Sequence, residues 1–118
     1  MRNFRKLKIW EQGIEIVKAI YLLSENLPSE EKFGLRSQIT RAAVSIPSNI
    51  AEGCSRNSEI EFKRFLEIAM GSLFEVETHL IIINQLNLIK SEDLKSIFEL
   101  IALEGKMING FINTIKNS

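Results

Sequence analysis

The sequence contains 118 residues, enough for one hydrophobic core and too few for two, so residues 1–118 are expected to form a single domain. Fifteen basic residues balance fifteen acidic ones, and this zero formal net charge argues against a globally basic nucleic-acid coat. A hydrophobic content of 45% excludes an intrinsically disordered chain, and a lone cysteine, Cys54, excludes a disulfide framework and a cysteine-based zinc cluster.

The first predicted helix runs from about Leu7 to Leu27. Apolar residues recur along the whole chain at intervals of three and four, which indicates an all-α protein. Pro28 ends the first helix because proline lacks an N–H group. Two neighbouring apolar stripes follow this helix. One consists of Leu7, Trp10, Ile14, Val17 and Tyr21, and the other of Ile9, Ile16, Ile20, Leu23 and Leu27.

The second predicted helix begins at Ser29 and reaches Glu52, with Gly53 as a left-handed cap after its last turn. Pro47 lies in the interior of this helix. An interior proline removes one main-chain hydrogen bond and presses on the preceding turn, at a cost of about 3 kcal/mol. We therefore expect the second helix to be kinked at Pro47.

Five polar residues share one face of the second helix and form what we call the polar seam: Gln38, Arg41, Ser45, Asn49 and Glu52. Short hydroxyl and amide side chains are unfavourable on a solvated helix face. The seam is therefore predicted to be hydrogen-bonded, within the bundle or between subunits. Arg41 would pair there with a carboxylate such as Glu52, Glu75 or Glu77. A ligand or nucleic-acid surface on this face is the alternative.

The third predicted helix begins with the capping box of Ser58 and Glu61 and is about 30 residues long. Gly71 in this helix and Gly13 in the first are predicted to mark the close approach of another helix, because glycine is unfavourable in a helix interior. The fourth helix opens at Ser91. Short loops place successive helices side by side, so the predicted fold is an antiparallel up-down-up-down four-helix bundle.

The helices carry more apolar surface than a monomeric bundle needs. A bundle helix requires one apolar stripe about 100° wide, whereas the first helix has two. The third and fourth helices add apolar residues off their main stripes: Phe65, Ile68, Ile82, Leu100, Leu103 and Met107. The surplus predicts either a wide, well-packed core or a homo-oligomer that buries the second faces.

Seven segments, spread over nearly the whole chain, form a specific pattern: Leu7–Trp10, Phe33–Gln38, Arg41–Gly53, Glu61–Phe62, Arg64–Leu66, Ala69–Leu73 and Glu75–Glu77. The pattern resembles the four-helix-bundle proteins encoded in intervening sequences of bacterial 23S rRNA genes. This resemblance implies a bundle that assembles as a ring, a pentamer, without known enzymatic activity and with RNA as the suspected partner. The accessory proteins of diversity-generating retroelements, a related branch, are basic, and the zero net charge here departs from them.

No catalytic constellation is visible in the sequence. The single histidine, His79, follows Glu75 by four residues, which predicts an ion pair along the third helix. Cys54 follows a helix C-terminus, where the helix dipole disfavours a thiolate, so an ordinary thiol is expected. We expect no enzymatic activity, no cofactor, no metal and no small-molecule substrate.

The charges are distributed unevenly along the predicted bundle. One end, which we call the basic end, gathers Arg2, Arg5, Lys6, Lys8, Arg56, Lys63 and Arg64, with Lys116 beside them. The opposite end gathers Glu25, Glu30, Glu31, Glu92 and Asp93. In a ring of parallel subunits all basic ends would share one face, where they could bind the phosphates of structured RNA. The alternative is a solvated end with no ligand.

These patterns predict a cytoplasmic, homo-oligomeric binding or scaffolding protein that associates with structured RNA through its basic end. The alternative is a protein–protein interaction module without nucleic-acid binding. No apolar run approaches the roughly 18 residues of a membrane span, and no secretory signal is visible, so no membrane association is expected.

Overall fold

The computed structural model describes residues 1–116, but for Lys116 it describes only the backbone. The prediction that the Lys116 side chain lies at the basic end therefore falls outside the described residues. Four α-helices account for most of the chain: α1 at Lys8–Ser24, α2 at Leu35–Cys54, α3 at Glu59–Gln85 and α4 at Ser91–Lys116. Short 3-10 turns lie at Phe4–Lys6 and Ser29–Glu31. The described part of the chain contains no strand, which confirms the all-α prediction.

Local chemistry explains where the helices begin and end. The Ser58 side chain accepts a hydrogen bond from the main-chain N–H of Glu61 at 3.1 Å, so the predicted cap of α3 is confirmed. The predicted start of α2 at Ser29 is wrong. Residues 29–31 form a separate 3-10 turn, and the Glu31 carboxylate accepts from the N–H of Leu35, which is the first residue of α2, at 3.3 Å. α1 ends at Ser24, three residues before the predicted end.

Each helix packs against two neighbours. α2 contacts α1 and α3, and α4 contacts α3 and α1, whereas the main chains of the diagonal pairs do not approach closely within residues 1–116. Gly53, near the end of α2, lies against Phe65 near the start of α3. Ser45, about two turns earlier, hydrogen-bonds Ser72, about two turns later in α3. The contacts therefore run in opposite directions, as between antiparallel helices, and the molecule measures 45 × 23 × 20 Å.

The core lies between the four helices and is almost entirely apolar. In α1, Ile9, Ile16 and Ile20 of one predicted stripe are buried, whereas the stripe from Leu7 to Tyr21 is half-buried and, at Tyr21, exposed. α2 continues through Pro47 without a break in its helical assignment, and the kink at this residue stays a prediction. None of the described helices is long and apolar enough to cross a membrane.

Three glycines differ in how closely other atoms approach the position that a Cβ would occupy. A Cβ on Gly13 would lie 3.3 Å from both Pro47 and Glu104, so the predicted close approach at Gly13 is confirmed. Gly53 is not a left-handed cap: it lies inside α2, and the described glycines have no positive φ. A Cβ there would lie 2.7 Å from the Cβ of Phe65. Gly71 is exposed and has nothing within 4 Å of a Cβ, so the close approach predicted there is absent from the single chain.

Candidate nucleic-acid interface and subunit contacts

Arg2 fastens the N-terminal segment to three helices at the basic end. Its main-chain N–H donates to the carbonyl oxygen of Cys54, at the end of α2, at 3.0 Å. Its guanidinium lies 2.7 Å from the carboxylate of Glu59, at the start of α3. The same guanidinium stacks 4.1 Å above the ring centroid of Phe62 in α3 and lies 5.7 Å from that of Phe111 in α4. The ends of α2, α3 and α4 thus meet around one residue, Arg2.

The positive charge of Arg2 is paired with the Glu59 carboxylate within the protein. The hydrogen bond from the Arg2 guanidinium lowers the pKa of the Glu59 carboxyl group, and the same bond raises the pKa of Arg2. The side chain of Arg2 retains 32% of its accessible surface, and its cationic group is already paired. Of the predicted binding residues, Arg2 is therefore the one with a clear structural role.

The other basic-end residues lie at the surface. Arg5, Lys6, Lys8, Arg56 and Arg64 are exposed and Lys63 is half-buried. Within the described part of the chain, none of these six forms an ion pair. Arg5 stacks 4.5 Å above the ring centroid of Phe4, and Phe4 packs edge-on against Trp10 with centroids 5.2 Å apart. The packed ring of Phe4 holds the basic segment against α1.

The polar seam divides into an inner and an outer part. The hydroxyl groups of Ser45 and Ser72 hydrogen-bond at 2.7 Å and join α2 to α3, and the Asn49 amide donates to the carbonyl oxygen of Ser45 at 2.8 Å. Gln38, Arg41 and Glu52 are exposed. Arg41 forms no ion pair with any described carboxylate, so its predicted pairing within one chain is absent. The three outer side chains remain available to another molecule.

The two residues considered for catalysis are both buried. His79 belongs to the core face of α3, and its Nδ1 has no hydrogen-bond partner among the described residues. The predicted ion pair with the exposed Glu75 is wrong, because the imidazole faces the core. The sequence carried a signal for this burial, since His79 follows buried Val76 by three residues and precedes buried Ile83 by four. Burial raises the pKa of the Cys54 thiol, as expected for an ordinary thiol.

Glu104 is a buried acid that the sequence reasoning missed. Its accessible surface is 0%, and neither carboxylate oxygen has a hydrogen-bond partner among the described residues. One of these oxygens, Oε2, lies against Gly13: a Cβ on Gly13 would be 3.3 Å from this oxygen and 3.3 Å from Pro47. Burial raises the pKa of Glu104 to about 8. The sequence nevertheless indicated this burial, because Glu104 lies between the buried residues Ile101 and Ile108 at a core position of the α4 stripe.

The described residues contain no cluster of three or more histidine, cysteine, aspartate or glutamate side chains arranged to hold a metal ion. The features that stand out are surfaces: a ring of exposed cations at one end, an exposed polar strip on α2, and large apolar side chains facing solvent. The helices and their packing define an all-α four-helix-bundle protein.

The chain belongs to the 23S rRNA-intervening sequence protein family, whose family model matches residues 5–110. The resemblance carried by the sequence motifs is thereby confirmed. Among solved structures, a protein with unknown function from the S23 ribosomal protein family of Bacteroides thetaiotaomicron is similar to this chain, with a TM-score of 0.82 and 28% sequence identity. The match covers 88% of this chain and 97% of that one. None of the curated protein sequences compared with the chain matches it significantly.

Proposed function

We propose that the protein is a non-enzymatic homo-oligomeric scaffold that binds structured RNA through its basic end. Self-association, as a pentamer by the family resemblance, is the first element of this proposal, and RNA binding in the cytoplasm is the second. The description of the family as 23S rRNA-intervening sequence proteins is in keeping with an RNA partner. The surface of the single chain supports each element separately.

Exposed apolar side chains carry the proposal of self-association. Phe33 is 87% exposed, Ile60 73%, Leu22 67% and Phe74 59%, and further large apolar residues on α3 and α4 are more than one-third exposed. These side chains extend from regular helices or the turns beside them, where folding has already ordered the backbone. Large apolar surface on an ordered scaffold is typical of protein–protein contacts, because burying it between subunits releases about 25 cal/mol per Å².

The distribution of cations supports RNA as the partner. Arg5, Lys6, Lys8, Arg56 and Arg64 lie exposed at one end of the bundle without intramolecular ion pairs among the described residues. A single subunit presents only a small basic patch. In an assembly with parallel subunits the patches would combine into one multivalent surface, which raises affinity for a polyanion without any new type of contact.

Self-association is tested by analytical ultracentrifugation of the purified chain over a wide range of concentrations. We expect a species several times heavier than the monomer that persists on dilution. A species with the mass of one chain at every concentration would refute the scaffold proposal.

RNA binding is tested by fluorescence anisotropy with a labelled rRNA-type hairpin at several salt concentrations. We expect binding that weakens steeply with salt. For the variant Lys6→Gln/Lys8→Gln, the plot of log affinity against log salt concentration should become less steep. Its slope should decrease in magnitude by roughly one unit for each phosphate that is no longer neutralised. Lys18→Gln/Lys90→Gln is the matched control, because both of these lysines are exposed and lie away from the basic end. Arg2 is left unchanged in both variants.

Two outcomes would favour a protein partner over RNA. Absence of binding at low salt, or equal effects of the two lysine pairs, would remove RNA from the proposal and favour a protein-binding scaffold. Contacts between apolar faces respond little to salt, so a salt-insensitive interaction would point in the same direction.

A further inference from the structure

An exposed aromatic cluster lies on the α1–α2 side of the bundle, at the end opposite the basic end. Phe33, on the turn before α2, is 87% exposed, and Tyr21 of α1 beside it is 51% exposed. They line an open groove of about 500 Å³ whose charged lining residues are Lys32 and Arg36. The Lys32 ammonium lies 5.5 Å from the centroid of the Phe33 ring. We call this cluster of Phe33, Tyr21, Lys32 and Arg36 the aromatic knob.

The acids next to the knob are engaged locally. The Glu31 carboxylate caps α2 by accepting from the N–H of Leu35, and the Glu30 carboxylate accepts from the Ser29 hydroxyl at 3.1 Å. Glu30 and Glu31 keep their charges but do not line the groove, whose charged lining residues, Lys32 and Arg36, are both basic.

A groove of opposite character lies on the α3–α4 side. It has a volume of about 620 Å³, and its apolar lining residues are Phe98 and Ala102. Glu92 and Glu99 line it against a single cation, Lys95, so its net charge is negative. The Ser91 hydroxyl donates to the side-chain oxygen of Asn84 at 2.6 Å and fixes the rim where α3 passes into α4. We call the groove formed by Glu92, Glu99, Phe98 and Ala102 the acidic socket.

Knob and socket lie on opposite sides of one chain. α1–α2 and α3–α4 are both neighbouring pairs, and no close main-chain approach links the diagonal pairs in the described residues, so the grooves of these two pairs face away from each other. A single chain cannot insert its own knob into its own socket.

The two features also lie in the same half of the bundle, away from the basic end. Ser45 and Ser72 are in contact and give a common reference level for α2 and α3. The start of α2, next to Phe33, lies about 15 Å from this level, and Asn84 at the rim of the socket lies about 18 Å from it in the same direction. Phe98 and Ala102 follow Ser91 along α4 and lie about 10 and 16 Å nearer the basic end.

We propose that the aromatic knob of one subunit inserts into the acidic socket of a second copy of this chain. Phe33 would fill the apolar floor at Phe98 and Ala102, and Lys32 and Arg36 would face Glu92 and Glu99. The contact joins two different surfaces, so it is heterologous, and repetition around an axis closes a ring. The inference rests on the proposed self-association and specifies which surfaces produce it.

Charge reversal tests the pairing directly. Lys32→Glu/Arg36→Glu reverses the knob, and Glu92→Lys/Glu99→Lys reverses the socket. Each variant should sediment mainly as a monomer, because like charges then face each other across the contact. The chain that carries all four reversals, Lys32→Glu/Arg36→Glu/Glu92→Lys/Glu99→Lys, should recover the wild-type mass. Every knob then faces a socket of opposite charge, whatever the number of subunits in the ring.

Phe33→Ala is a second disruptive variant and should also shift the mass toward the monomer. Val44→Ala is its control, since Val44 is an exposed apolar residue of α2 that lines neither groove, and it should leave the assembly unchanged. Circular dichroism at equal concentration shows whether each variant retains its helices.

The outcomes distinguish this inference from the broader proposal. If wild-type protein assembles and the reversed variants assemble equally well, the knob–socket contact is refuted and self-association stands. If each reversed variant dissociates and the chain with all four reversals retains its helices but does not reassemble, the pairing is also refuted. If the wild-type chain is monomeric, both the inference and the proposed self-association fail.

Discussion

At the scale of single residues, the buried carboxyl group of Glu104 links stability to pH. Its pKa rises from an ordinary value of 4.5 to about 8 because burial penalises the charged form. The folded chain therefore binds this proton more tightly than the unfolded chain does. The resulting stabilisation is complete below about pH 4.5 and is lost as the pH rises through about 8. Within that window the loss is roughly 1.4 kcal/mol per pH unit.

Glu104→Gln should remove this dependence, because glutamine has nearly the shape of the neutral acid and carries no charge at any pH. The measurement is urea unfolding of both proteins at equal chain concentration, from about pH 5 to about pH 9. Other titrating groups are common to both proteins, so the difference between the curves reports Glu104. We expect the variant to gain stability relative to the wild type as the pH rises, and parallel curves would contradict a buried neutral acid.

Two glycines should respond oppositely to the same change. Gly53→Ala would place a methyl group 2.7 Å from the Cβ of Phe65, so backbone must move, and we expect a loss of about 1–3 kcal/mol in the free energy of unfolding. Gly71→Ala adds a methyl group in open space on α3 and should gain up to about 1 kcal/mol, because alanine favours the helix. Chemical denaturation of both variants measures the two signs. A stabilising Gly53→Ala would show that α2 and α3 can separate at this point without cost.

At the scale of elements, the N-terminal segment contributes to stability because Arg2 contacts the ends of three helices. Arg2→Ala removes the stacking on Phe62 together with the partner of Glu59, and we expect a loss of about 1 kcal/mol in the free energy of unfolding. Arg5→Ala is the control, because Arg5 is exposed and stacks only on Phe4 within its own turn. Urea unfolding should separate the two arginines. Equal, negligible losses would mean that the segment is not fastened by Arg2.

The helices themselves were largely predictable from the sequence. The recurrence of apolar residues at three and four locates four helices, and the Ser58 cap marks a boundary by purely local hydrogen bonding. The start of α2 was misplaced, because Ser29 and the acids after it have the chemistry of a helix start. Gly34 instead adopts φ −103° and ψ −110°, which is not helical, and α2 begins after it.

The errors at side-chain level have one cause. Gly53 and His79 were interpreted from their neighbours in sequence, whereas their surroundings come from other helices. The partner of Arg2 lies 57 residues away at Glu59, and no local pattern specifies that pairing. The clustering of the basic end was predictable because topology alone determines which helix ends meet. Glu104 could have been found, since a charged residue at a core position of a strict stripe is visible in the sequence.

At the scale of the whole molecule, the knob–socket contact would determine how the basic ends are used. Subunits repeated around one axis all have the same orientation along that axis, so their basic ends would lie on one face of the ring. The exposed cations of several subunits then contact one RNA together, and the affinity reflects the assembly more than any single patch.

Dissociating the ring should therefore weaken RNA binding without altering a single basic residue. We expect Phe33→Ala to reduce affinity for a labelled hairpin by about tenfold or more and to reduce the salt slope per particle, because each particle then offers fewer cations. Lys6→Gln/Lys8→Gln provides the comparison: it should also weaken binding while the ring stays intact. Anisotropy titrations with parallel sedimentation of each sample measure both properties. If Phe33→Ala yields monomers that bind as tightly as the wild type, with an unchanged salt slope, one subunit suffices for RNA and the ring serves another purpose.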